Sequence, residues 1–168
     1  MIIEYFKYFA IAIFLFIIQV TFVPNISVEM ITPDIPILLV IYLSLLRGQF
    51  FGMILAFLYG LVIDLFAGSF VGLYALTYTI AAFITGYFYE EDRAKETLQS
   101  YFFIFIMFLS IFFSNLIYFI IFIQGTYEFN ASLLITKYCL GSTAYTLVFG
   151  IFFMFIISKG KINKVMEV

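Results

Sequence analysis

The sequence predicts an all-α integral membrane protein of six transmembrane helices with both ends in the cytoplasm. Three observations predict it: a composition too apolar for water, six apolar stretches of helical length, and basic residues confined to one side of those stretches. Apolar residues make up 65% of the 168 and charged residues 11%, against about 25% charged and 45–50% apolar in soluble domains. A soluble globule must cover itself with polar groups that this chain lacks, so the apolar surplus needs hydrocarbon as its solvent.

The spans follow in order, on the rule that about 20 apolar residues cross a ~30 Å hydrocarbon core. The first is Ile3 to Val23, stopped by Pro24 and Asn25; the second is Pro33 to Leu46, ended by Arg47-Gly48. The third is Gln49 to Ala67, followed by the turn Gly68-Ser69, and the fourth is Phe70 to Tyr89, closed by the charged run from Glu90 to Glu96. The fifth is Ser100 to Ile123 and the sixth runs from about Ser132 to Ser158. All six lie in one integral membrane domain covering residues 1–168. The first span resembles a signal peptide, with Lys7 before an apolar run, but the run is long and no small-x-small cleavage pattern follows, so it reads as a retained helix. The second span is short, about 21 Å at 1.5 Å per residue. Either the bilayer thins beside it or part of the preceding loop dips into the membrane.

Charge supports the even count. Lysine and arginine concentrate in cytoplasmic loops, and six crossings put Lys7, Arg47, Arg93, Lys95, Lys159, Lys161 and Lys164 on one side. The opposite loops, Pro24–Thr32, Gly68–Ser69 and Gln124–Ala131, contain no basic residue. They do contain Asn25-Ile26-Ser27 and Asn130-Ala131-Ser132, which match a glycosylation tripeptide common by chance.

In lipid, helices associate where small residues let backbones approach. Gly52, Ala56, Gly60 and Asp64 make such a stripe on the third span, Ala75, Thr79, Ala82 and Gly86 on the fourth, and Gly141 and Ala144, with Ser142 and Thr143, on the sixth. These three helices are the expected inner bundle. The fifth, rich in Phe and Ile, is expected to face lipid over much of its girth, with Asn115 donating a hydrogen bond across helices.

Three ionisable residues stand out. Asp34 lies where Thr32 would cap the second helix and Pro33 would open it, close to the positive end of the helix dipole. Asp64 sits in the last turn of the third span, where the dipole disfavours an anion, so it is read either as an interfacial carboxylate or as one bonded inside the bundle. Lys137, some five residues into the sixth span, either snorkels outward or pairs with Asp34 or Asp64.

Composition also excludes functions. The net charge of −2 offers no basic surface, so nucleic acid is not a partner. The absence of histidine and the single Cys139 leave no His acid–base pair, no intramolecular disulfide and no His or Cys metal site. Asp34, Asp64 and Lys137 could be drawn as a catalytic set, but no nucleophile–base pair is visible. No enzyme, metal or cofactor is expected.

The stretch Pro33 to Leu76 resembles the MreD family of bacterial rod shape-determining proteins. The features carried are Pro33-Asp34, the Arg47-Gly48 turn, Gly52, Gly60 with Asp64 in G-x-x-x-D, and Gly68 followed by Gly72-Leu73. The resemblance implies a non-enzymatic membrane scaffold of the cell-elongation machinery in the bacterial cytoplasmic membrane, with a fold similar to the substrate-binding components of energy-coupling-factor vitamin transporters. It further implies binding to the transmembrane helix of MreC, in company with the MreB filament, a RodA-type glycosyltransferase and a class B penicillin-binding protein. Asp34, Gly52, Gly60, Asp64 and Lys137 are the expected structural or partner-docking positions. Whether copies of the chain associate with one another is left open. A vitamin-type transport component is the competing expectation; it needs convergent polar groups at the outer side, and the first span lacks the Ala-x-x-x-Ala pattern expected for docking such a transporter's partner.

Overall fold

The computed structural model describes residues 2–27, 31–67, 70–123 and 134–165. Among the described residues seven α-helices follow one another: α1 (Ile2–Thr21), α2 (Ile35–Arg47), α3 (Gln49–Ala67), α4 (Leu73–Tyr87), the short α5 (Ala94–Thr97), α6 (Phe102–Ile123) and α7 (Leu140–Val165). A 3₁₀ turn, Val23–Ile26, follows α1, and a wide π turn, Leu134–Cys139, leads into α7. Among the described residues two helices, α3 and α6, are long and apolar enough to cross a membrane by length and composition, and shorter apolar helices occupy Tyr8–Thr21, Ile35–Arg47 and Leu73–Tyr87.

The short second helix is the centre of the bundle. α2 touches α1, α3, α4, α5, α6 and α7, and it buries Pro36 to Ile41 and Leu43 to Leu45. This corrects the expectation that α3, α4 and the last helix form the inside. α2 is the helix that the others surround. α6 faces outward over much of its girth, as expected, and Phe103, Ile106, Met107, Ser110, Ile111, Ser114 and Asn115 line one packed face at helical spacing. Its remaining surface carries the exposed Phe102, Phe105, Phe108 and Phe113.

α3 and α4 form an antiparallel pair whose contact surface is the stripe of small residues. Gly52, Ala56, Gly60 and Asp64 are all buried. A Cβ on Gly60 would lie 2.5 Å from Ala75 Cα and 2.6 Å from its nitrogen, and one on Gly86 would meet Gln49 Cα at 2.5 Å. Backbone therefore meets backbone at both ends of the pair in one register. Gly52 performs the same role against α2, where a Cβ would lie 2.7 Å from Ser44 Cα. The turn between α2 and α3 hangs on Gly48, whose φ of +96° is open to glycine and strained for other residues.

The packed face of α7 departs from expectation. Ala144 is exposed and Gly141 only partly buried, while Cys139, Ser142, Thr143 and Thr146 face the bundle.

Candidate functional site

One end of the bundle carries two aspartates and the polar groups that serve them. Asp64, 1% exposed, sits in the last turn of α3 but points at the first turn of α4. Its Oδ2 accepts from the backbone N–H of Gly72 at 3.0 Å and of Ala75 at 3.1 Å, and its Oδ1 from Tyr74 N–H at 3.0 Å. The N-terminal amides of a helix have no intrahelical acceptor, and the positive end of the α4 dipole favours an anion. The carboxylate at the wrong end of its own helix is thus at the right end of the next. Gly72, with φ +96°, turns the chain so that its N–H reaches that carboxylate. Between the two expected alternatives, the bonded carboxylate inside the bundle is the one formed.

Asp34 is the cap of α2 itself. Its Oδ1 accepts from Ile37 N–H at 3.4 Å and from the buried Tyr78 hydroxyl. Helix α2 therefore starts two residues later than expected, with Asp34 rather than Thr32 as the capping residue and Pro36 in the first turn. The Asp34 N–H donates to Thr146 Oγ1 on α7 at 3.0 Å. On α1, Gln19 grips the same stretch twice: its Nε2 donates to Pro33 O at 3.2 Å and its Oε1 accepts from Ile35 N–H at 3.1 Å. Ser142 Oγ donates to Thr32 O at 3.0 Å. Residues 32–35 are thereby held by α1, α4 and α7 together.

Aromatic rings pack beside the cap. Tyr78 lies against Tyr74, with ring centres 5.8 Å apart, and against Tyr59 at 6.4 Å, while Tyr74 contacts Tyr118 at 5.3 Å. The Tyr59 hydroxyl donates to Ala12 O on α1 at 2.7 Å. Further along the bundle Asn115 Nδ2 donates to Thr143 Oγ1 at 3.1 Å, the interhelical bond expected of it, and Thr85 and Ser110 hydroxyls meet at 2.8 Å.

Of the five singled-out residues, the structure gathers Asp34 and Asp64 at one end, places Gly60 beside Ala75 in the α3–α4 contact, and sets Gly52 against α2. Lys137 stands apart. Its side chain is exposed, with Nζ 6.0 Å from the Tyr138 ring centre, and among the described residues no ion pair joins it to either aspartate. The acceptor positions of those carboxylates already face backbone amides and a phenol, and the π turn puts Lys137 on the outward side. Gln19, Tyr78 and Thr146 went unrecognised in the sequence. Gln19 had a detectable signal, being an amide near the end of an otherwise oily helix.

The opposite end is marked by charge. Arg47 lies over the Tyr8 ring at 5.8 Å, a Cβ on Gly48 would lie 3.3 Å from Tyr89 Cε1, and Arg93 approaches Glu90 at 3.9 Å.

Apolar helices packed by glycine contacts, with polar groups bonded to one another inside, define an all-helical membrane protein. The chain belongs to the MreD family: the family model described as rod shape-determining protein MreD matches residues 1–159. Its role is accordingly in determining rod shape. No curated protein and no solved structure matches it.

Proposed function

We propose that this chain is a multi-pass scaffold of the bacterial cytoplasmic membrane that binds the transmembrane helix of MreC and so supports peptidoglycan synthesis along the cell cylinder. The observation that carries the reading is the family match over residues 1–159. The reading has six crossings with both termini inside, and a fold similar to the substrate-binding components of energy-coupling-factor transporters. Its supports are physical. Arg47, Arg93 and the Tyr8 end of α1 share one end of the bundle, as a cytoplasmic face rich in basic residues requires. The polar side chains at the other end are bonded, mostly to backbone groups, and α1 turns Phe9, Phe14, Ile17 and Val20 outward, a surface suited to lipid or to a single apolar helix. In this reading Asp34, Gly52, Gly60 and Asp64 hold the shape that partners meet, and Lys137 is accessible to a partner. The MreB filament, a RodA-type glycosyltransferase and a class B penicillin-binding protein act alongside, and the chain catalyses nothing itself.

Depletion of the protein in its rod-shaped host is the test. Cells should round up and recover their shape on re-expression, and MreC should co-purify with the tagged protein in nanodiscs. Cells that stay rod-shaped contradict the role; shape dependence without MreC in the purified complex contradicts the partner.

A further inference from the structure

α1 is attached to the bundle differently from the helices around it. Among the described residues none from Tyr8 to Thr21 is buried, whereas α2 buries Pro36 to Ile41 and Leu43 to Leu45. The buried apolar core is built from α2, α3, α4, α6 and Leu98, and α1 reaches its rim with Phe16. The Phe16 ring meets Phe66 edge-on at 5.1 Å, on a residue that is itself exposed. α1 also has no glycine, so it lacks the close backbone approach by which Gly52, Gly60 and Gly86 join α2, α3 and α4.

Lipid tails are as apolar as leucine, so no hydrophobic force presses a helix onto its neighbours in a membrane. Helices there are held by close packing and by polar contacts. α1 has little of the first and well-placed examples of the second. The Tyr59 hydroxyl donates to Ala12 O at 2.7 Å, in the middle of α1. Nearer its end Gln19 holds two backbone groups at the start of α2, donating from Nε2 to Pro33 O at 3.2 Å and accepting at Oε1 from Ile35 N–H at 3.1 Å. The first amides of a helix have no intrahelical acceptor, and Gln19 supplies the one that Ile35 lacks.

We infer that α1 is a latched helix: held by Gln19 and Tyr59, it swings away from the bundle as one piece while α2, α3, α4, α6 and α7 stay packed. Ala12 and Gln19 lie about 10 Å apart along α1, and a rigid helix couples the two clasps. Loosening one favours release at the other. Release bares Pro33 O, Ile35 N–H and the flank of α2 without dissolving the core, which makes α1 the moving part of the fold. The inference requires these helices to lie in lipid and is independent of the partner proposed above.

The test reads one clasp through the other, by residue-resolved hydrogen exchange of the full chain in nanodiscs. Tyr59→Phe removes the donor to Ala12 and leaves Gln19 and Ile35 untouched. The Ile35 amide should exchange about threefold faster, the size of one lost polar contact between membrane helices. The Ala75 amide, held by Asp64 inside the α3–α4 hairpin, should keep its rate. Unchanged exchange at Ile35 overturns the inference, because the clasps are then uncoupled. Equal acceleration at Ile35 and Ala75 also overturns it, because α1 is then part of the core. A distance measurement gives a second reading, with spin labels at the exposed positions Phe14→Cys and Leu58→Cys on a Cys139→Ala background. Gln19→Leu combined with Tyr59→Phe should add a longer distance for this pair, while labels at Leu58→Cys and Leu76→Cys keep a single one. A single unchanged distance for the first pair overturns the inference.

Discussion

Asp34 and Asp64 sit at the same end of the bundle and are held in opposite ways. Asp64 is bound within one hairpin: its carboxylate and the amides of Gly72, Tyr74 and Ala75 lie within eleven residues of one another. Asp34 lies on a segment held from afar, with Tyr78 on its carboxylate, Thr146 on its amide and Gln19 on its neighbours. The first arrangement is closed within the α3–α4 hairpin; the second exists only when α1, α4 and α7 have come together. One acid builds a part and the other assembles the parts.

That contrast ranks the consequences of mutation. The largest loss is expected at the α3–α4 contact. Gly60→Leu drives a side chain into the Ala75 backbone, which cannot yield as a flexible side chain can, and should cost about 3 kcal/mol or more. Asp64→Ala leaves three amides of the α4 start without their acceptor and should cost about 2–4 kcal/mol. A Cys139 thiol-dye melt reads both as a lower apparent Tm, because Cys139 is fully buried in the fold and reacts on unfolding. Native-like melting of Gly60→Leu would show that the helices do not touch there.

Smaller effects are expected at the other acid. Tyr78→Phe removes one donor to Asp34 and should cost about 1 kcal/mol, in the range of polar contacts between membrane helices. A double-mutant cycle with Asp34→Ala should show non-additive losses, whereas simple additivity would mean that the two groups do not interact. The smallest effect is expected at Lys137, where Lys137→Ala should stay within about 0.5 kcal/mol of the parent in the same melt. A loss comparable to that of Asp64→Ala would show that Lys137 holds the bundle together.

The two acids also differ in how far the sequence revealed them. Around Asp64 the reading was close: Gln49 to Ala67 is the helix formed, and the stripe from Gly52 to Asp64 is its packed face. Small residues at four-residue spacing carry a signal that survives in an oily chain, because lipid contact does not ask for them. An aspartate against its own dipole likewise pointed to a partner elsewhere. Around Asp34 the reading was partial. The proline and aspartate marked a helix start, but Gln19, Tyr78 and Thr146 are remote in sequence, and their single polar groups have no spacing rule. The central place of α2 was hidden for another reason. Where the solvent is itself apolar, hydrophobicity no longer separates a helix wrapped in protein from one wrapped in lipid. For Lys137 the sequence left two places open, outward or paired with an aspartate, and the structure has the side chain outward.

The binding of the α4 amides by Asp64 is tested most directly by residue-resolved hydrogen exchange in nanodiscs. The wild-type amides of Gly72, Tyr74 and Ala75 should exchange slowly, and in Asp64→Ala they should lose that protection while the Ile37 amide keeps its own. Fast exchange of those three amides in the wild-type protein, or unchanged protection in Asp64→Ala, would contradict it.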